Sequence, residues 1–228
     1  MVSLRDFFLL CLTILPISTT RAADANSLLT TWLAAQTNLH TWSADVTQTR
    51  SLKTLTQPLT ARGRIWFSAP NLFRWELSEP AQTIAVRQPS QMLVLYPRLK
   101  RAERYPLDPG ITGPLRDLLT LIEAGFPRNQ ADLESRFKVL SITETDGLGE
   151  LRLQPKSAAA RKMMPELKII FSVKDSQPRA TELKFADGST MRNDFTNAVL
   201  NSPLDAAIFK PALPDDFKVT EPMRGASR

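Results

Sequence analysis

The sequence predicts an α+β fold, with one strongly curved antiparallel sheet and two or three helices packed against it. Three observations carry this expectation. Short runs in which apolar residues alternate with polar ones recur along most of the chain, the signature of half-buried strands. Asp146-Gly147 and Asp187-Gly188 fall between such runs and read as hairpin turns. Only two segments, 24–39 and 113–124, repeat apolar residues at the helical spacing.

The first helix is expected from Asp24 to about Leu39. Leu28, Leu29, Trp32, Leu33, Gln36 and Leu39 follow the 3.6 period, and Asp24 or Asn26 offers a cap. From Trp42 the period shortens to two: Val46, Gln48 and Arg50 alternate with Thr47 and Thr49, and Gln57-Pro58 makes a turn. The segment ARGRIWF then places Ile65 and Phe67 on one face and Arg64 and Trp66 on the other. The block PNLFRWELSEP, from Pro70 to Pro80, is the next strand. Phe73, Trp75 and Leu77 share one face, and Arg74, Glu76 and Ser78 share the other.

Strands at Thr83–Arg87 and Met92–Tyr96 follow. The second is apolar on both faces and so belongs in the middle of a covered sheet. The second helix is expected from Gly113 to Ala124, with Pro114 in its first turn and Gly125 ending it. Leu115, Leu118, Leu119 and Ile122 form its apolar stripe. Further strands are read at 137–143, 150–154, 167–173, 181–185 and 191–195, with a loop or short helical turn at 155–165. An element at 205–209 and a proline-rich finish complete the chain, which has no internal repeat or linker.

With 228 residues, 43% hydrophobic and 23% charged, the chain fits a single domain. Residues 1–22 read as a secretory signal and are set aside from the fold. Arg5 precedes the apolar run Phe7–Ile17, which is shorter than the roughly 20 residues needed to span a bilayer, and small residues follow it. The mature domain is therefore 23–228, an exported protein. Cys11, the one cysteine, lies inside the signal with Leu9-Leu10 before it, unlike a lipidation site. The mature chain then has no disulfide, no thiolate metal site and no cysteine nucleophile. Its stability must come from its core, for which roughly 200 residues suffice.

Catalytic signals are missing from the pattern. His40 is the only histidine and sits at the end of the first helix, and no G-x-S-x-G, H-E-x-x-H or P-loop spacing occurs. The pairs Glu76/Glu79 and Asp215/Asp216 read as solvated charge. No enzyme, metal or cofactor is expected. The formal charge of +6, with 29 bases among 23 acids, permits an acidic partner without demanding one. Arg98, Lys100, Arg101 and Arg104 form the densest basic cluster, interrupted by Glu103, and no nucleic-acid motif surrounds them. They read as a solvated hairpin tip or as a contact for phospholipid headgroups or an acidic partner.

What remains is apolar surface. Trp32, Trp42, Trp66 and Trp75 all fall in the first third of the chain, followed by Met92, Val94 and Leu95. A curved sheet covered by helices encloses either a filled core or a ligand cavity, and both stay open at this point.

The run Gly63-Arg-Ile-Trp-Phe-Ser-Ala-Pro70-Asn-Leu-Phe-Arg-Trp-Glu-Leu-Ser-Glu-Pro80, with Gln48 before it and Tyr96-Pro97 after it, resembles the LolA-like periplasmic lipoprotein carriers. The ending Asp205-Ala-Ala-x-Phe209-x-Pro211, with Pro214 and Val219, is similar as well. The resemblance covers essentially the whole mature chain. It implies an unclosed antiparallel barrel of about 11 strands, covered by helices around an apolar cavity. It further implies a monomeric, non-enzymatic carrier that receives acylated lipoproteins from an inner-membrane ABC transporter. The cargo crosses the periplasm and passes to an outer-membrane acceptor. Nucleic acid plays no part. On this reading Ile65, Phe67, Phe73, Trp75, Leu77 and Val94 belong to the cavity wall, and Leu118, Leu119 and Ile122 to its helical lid.

Two positions depart from the family pattern. Ala69 stands where many members carry the arginine that hydrogen-bonds the lid, and Arg87-Gln88-Pro89-Ser90 replaces an Asp-Gly turn. Arg74 is near the first of these but should point to the opposite face. Besides the lipoprotein carrier, two readings share the fold: a carrier of another envelope lipid or glycolipid, and a lipid-sensing regulatory protein. An esterase or glycosidase is the enzymatic alternative, and no motif supports it.

Overall fold

A computed structural model describes residues 20–107 and 126–222, apart from the side chains of residues 20–24. Most of the signal segment lies outside the described residues. So does the expected helix 113–124, with its Leu118, Leu119 and Ile122.

Helix α1 (Thr20–Thr37) leads into strand β1 (Thr41–Ser51), and then β2 (Leu59–Ser68), β3 (Leu72–Leu77), β4 (Thr83–Arg87) and β5 (Gln91–Tyr96) follow as a meander. A 3₁₀ turn at Pro97–Leu99 precedes β6 (Arg101–Pro106). Helix α2 (Gln130–Arg136) runs into β7 (Phe137–Thr145) and β8 (Leu148–Pro155). Helix α3 (Ala158–Met163) leads to β9 (Glu166–Ser172), β10 (Pro178–Lys184) and β11 (Thr190–Leu200). A 3₁₀ turn at Ala206–Phe209 and a short β12 (Lys218–Thr220) finish the described chain.

These strands form one twelve-stranded sheet in the order β12-β6-β5-β4-β3-β2-β1-β11-β10-β9-β8-β7. All neighbours are antiparallel except β12, which pairs with β6 in parallel. The two end strands do not pair, so the barrel is unclosed. Its curl follows from packing. β3 and β9 stand five places apart, which on a flat sheet would separate them by about 24 Å. Yet Trp75 of β3 and Ile169 of β9 line a single cavity.

Two apolar clusters fill most of the concave face. Leu29, Trp32 and Leu33 of α1 pack against Phe137, Leu151, Leu153, Leu167, Ile169 and Phe171 from β7–β9. Trp32 is fully buried and stacks on Phe171 with ring centroids 5.3 Å apart. The other cluster joins Leu39, Trp42, Ala44, Val46, Ile65, Phe67, Phe73 and Phe195 from the β1–β3 and β11 region. Here Trp42 meets Phe195 edge-on at 5.1 Å. The convex face of β4–β6 is covered by the C-terminal segment, where Leu213 and Phe217 pack on Leu93, Leu95 and Ala102.

Three elements lie outside what the sequence pattern suggests. β6 replaces the expected hairpin tip over Arg101 and Arg104; the tip itself is confined to residues 97–100. Three of the four charges in that cluster are paired, with Lys100 2.8 Å from Asp216, Arg101 3.3 Å from Glu103 and Arg104 3.8 Å from Glu221. Helix α2 is short and carries one buried apolar residue, Leu133, so no stripe announces it. β12 is a three-residue strand made by tertiary pairing to β6.

Candidate ligand cavity

Cross-strand register explains which side chains meet on the concave face. Ile65 faces Trp75, Trp75 faces Ala85, and Ala85 faces Val94, so these four share one row. Phe67, Phe73, Arg87, Met92 and Tyr105 form the next row. Gly63 lets the sheet coil tightly at this point, because a Cβ there would overlap the backbone carbonyl oxygen of Glu76.

Between the two apolar clusters lies a cavity of about 270 Å³, near the lower end of the roughly 300–1,000 Å³ typical of ligand pockets. Its described wall combines Ile65, Phe73 and Trp75 with Leu167, Ile169, Leu183, Met191 and Phe195 from β9–β11. Phe126, Met163, Pro178, Thr181, Phe185 and Asn193 complete it. The amide of Asn193 and the hydroxyl of Thr181 are satisfied within the protein. Asn193 donates to Thr181 Oγ1 (3.0 Å) and accepts from Gln48 Nε2 (3.0 Å). A wall of this composition offers contact and water exclusion to an apolar chain.

Of the residues expected at such a wall, Ile65, Phe73 and Trp75 line the cavity. Phe67 stands one step away and lines an adjoining pocket, stacked on Phe126. Leu77 packs against the same cluster without lining the cavity. Val94 shares the concave face but lies further along the sheet, with Met92, Ala85, Tyr105 and Leu107. The wall residues from β9–β11 are absent from the sequence expectation. Their strands are legible, but nothing in local spacing says that they oppose β2 and β3.

The adjoining pocket, about 250 Å³, has a different character. Phe67, Phe73 and Phe126 form one side, and Arg87, Arg128, Asp132, Ser135 and Arg136 contribute polar groups. Arg87 Nη1 donates to the carbonyl of Asn71 (3.0 Å), within two residues of Ala69. Arg74 points the other way, as its strand position requires. It donates to Glu76 Oε1 (2.6 Å) and to the Ile208 carbonyl (2.8 Å), anchoring the C-terminal segment on the convex face.

Residues 37–212 match the family described as "Outer membrane lipoprotein carrier protein LolA". The chain belongs to the LolA family. An outer-membrane lipoprotein carrier protein of Bordetella avium (strain 197N) is 27% identical over 167 residues, covering 73% of each chain. One of Bordetella pertussis (strain Tohama I) is 29% identical over 143 residues, covering 62% of this chain and 61% of its own. Among solved structures, an uncharacterized conserved protein from Thermus thermophilus superposes with a TM-score of 0.50 at 11% identity. That match covers 86% of this chain and 98% of the other, and it shows a shared fold. For a LolA-family chain the unclosed sheet and the apolar space inside it are the expected architecture. No described helix is long and apolar enough to cross a membrane.

Proposed function

We propose that this protein is a periplasmic carrier that holds the acyl chains of lipoproteins in its apolar cavity between inner and outer membranes. The observation that carries the reading is the cavity itself: an apolar wall built from β2–β3 and β9–β11 of one curled sheet in a LolA-family chain. The names of its Bordetella relatives support the same cargo class. The physical need is plain. Each buried CH₂ is worth roughly 0.8 kcal/mol, so a long acyl chain left in water costs on the order of 10 kcal/mol. A shield against that cost works by burial alone and needs no catalytic step. In this reading an inner-membrane ABC transporter loads the carrier and an outer-membrane acceptor unloads it.

A second reading keeps the cavity and changes the cargo to another envelope lipid. Ala69, in place of the family's lid-binding arginine, favours it. Native mass spectrometry of the protein isolated from a periplasm, followed by organic extraction, separates the two. A bound acylated polypeptide supports the lipoprotein carrier. A bound free lipid supports the second reading, and a protein that never carries an acyl chain refutes both.

A further inference from the structure

We propose that one end of the curled sheet, where the apolar cavity borders three exposed loops, is a docking face for an anionic phospholipid bilayer. This rests on the carrier reading for its purpose, bringing the cavity to the membrane that holds acyl chains; the docking itself is read without cargo.

Strand register puts the three loops together. Ser51 at the end of β1 pairs with Thr190 at the start of β11. Lys184 at the end of β10 pairs with both Thr190 and Glu166, and Glu166 opens β9 just after α3. The loop 52–58, the turn 185–189 and α3 therefore share one end of the sheet. Contacts join them. The N–H of Ala186 donates to the Met163 carbonyl (2.9 Å), and the Lys53 side chain lies against Gly188.

These loops present apolar tips among lysines. Leu55 is 45% exposed, Leu59 51% and Met163 46%. Met163 also lines the apolar cavity, so the cavity borders this rim. Helix α3 is pinned by its buried Ala160 and by Met164 after it, which leaves Lys156, Arg161 and Lys162 exposed beside Met163. The segment 155–165 carries these three bases and no acid. Among the described residues Lys156 and Lys162 belong to no ion pair. Arg161 donates to the carbonyls of Pro155 (3.2 Å) and Lys156 (3.4 Å). Asp187, on the neighbouring turn beside Lys53, accepts from the N–H (2.8 Å) and hydroxyl (2.6 Å) of Ser189.

A protein partner packs on a contiguous, desolvated patch. Single apolar side chains on separate loops, with lysines between them, suit a headgroup layer better. The tips pass below the phosphates while the lysine stems reach up to them.

The test is flotation of the mature protein (residues 23–228) with phosphatidylcholine vesicles and with vesicles of phosphatidylcholine and phosphatidylglycerol in equal parts. The anionic vesicles should bind more of it, and added salt should release it. Lys156→Gln and Lys162→Gln should each weaken that binding about fivefold, and Leu55→Ser about fourfold or more, as for one buried CH₂. The mature chain has no cysteine, so Leu55→Cys can carry a single environment-sensitive fluorophore. Its emission should shift to the blue on anionic vesicles. The same label at Leu148→Cys, 43% exposed at the far end of β8, should not shift. No preference for anionic vesicles, binding unmoved by all three substitutions, or a shift at Leu148 in place of Leu55 would overturn the docking face. Absence of vesicle binding altogether would also overturn it and give the rim to a protein partner. Palmitate affinity, measured alongside, keeps cargo and docking apart: its absence would refute the cavity's role, while the vesicle result alone decides the docking face.

Discussion

The rings of Phe67 and Phe126 lie face to face, with centroids 4.3 Å apart and planes 6° from parallel. Trp42 braces Phe126 from another side, at 5.3 Å between centroids. Phe126 thereby becomes the partition between an apolar cavity and an arginine-lined pocket, since it lines both. Phe126→Ala removes the partition and two aromatic contacts. Fully buried phenylalanines cost about 3–5 kcal/mol on truncation; this ring is half-buried, so about 1–2 kcal/mol is expected by urea unfolding. Palmitate affinity should fall severalfold in the same variant. Superimposable unfolding curves would show that the stack contributes nothing.

Filling the cavity is the more direct test of its role. Leu183 of β10 is buried at the wall and faces space that an indole can take. Leu183→Trp should reduce palmitate affinity at least tenfold by titration calorimetry. Because the new ring enters existing space, its cost should stay within the roughly 1–3 kcal/mol of ordinary overpacking. Undiminished binding in a folded variant would place acyl chains elsewhere and leave these residues as plain core.

The legible half of this site is the half written in one stretch. Ile65, Phe73 and Trp75 alternate with charged neighbours and sit near prolines, so period and punctuation alone place them on one face. Leu167, Ile169, Leu183 and Phe195 alternate too, but their meeting with β2 and β3 depends on how far the sheet curls, which no local spacing encodes. β6 is hard to read because its pattern, RAERYP, spends one position on a small buried residue, Ala102, and the rest on charge, a tyrosine and a proline. Its strand exists through the β5 ladder and the C-terminal cover. Helix α2 does leave a signal. Asn129 caps it by accepting from the N–H of Asp132 (2.9 Å), and an Asn followed three residues on by Asp is a start mark readable without an apolar stripe.

Helix α1 is held to the sheet chiefly by Trp32, which has no exposed surface and stacks on Phe171. Trp32→Ala should cost about 3–5 kcal/mol, as large aromatic deletions in closed cores do. Trp32→Phe should cost far less. It keeps the aromatic contact and removes an indole N–H that is buried with no hydrogen-bond partner. Thermal unfolding of both variants checks this. Equal losses would mean that a single ring cannot replace the packing of the indole there.

Two glycines are required for different reasons, and alanine at each separates them. At Gly63 a Cβ would overlap the Glu76 carbonyl oxygen, a backbone atom that cannot turn aside. Gly63→Ala should therefore cost at least about 1–3 kcal/mol, with β2 and β3 pushed apart. At Gly147, φ is +74° and a Cβ would meet nothing within 4 Å. Gly147→Ala should cost only the left-handed backbone penalty, about 1–2 kcal/mol. Hydrogen exchange distinguishes the two: faster exchange at the β2–β3 ladder is expected for Gly63→Ala alone.

Alkaline titration reads the far end of the concave face. Tyr105 donates to Glu103 Oε2 (2.8 Å), and Arg101 lies over the ring of Tyr96 at 4.5 Å. Burial first, and then the hydrogen bond and negative charge of Glu103, push the Tyr105 phenol above its ordinary value of 10.0. A folded-state value above the unfolded one means that the unfolded chain loses this proton first. The contribution to stability is complete below about pH 10 and declines as the pH rises beyond it. The chain has only two tyrosines, so difference absorbance in the near ultraviolet resolves Tyr105 from Tyr96. In the native protein one phenol should ionise only as alkaline unfolding begins. Glu103→Gln removes the carboxylate charge, and the delayed phenol should then ionise at lower pH while the protein is still folded. Identical titrations before and after the substitution would show that Glu103 does not hold the Tyr105 proton in place.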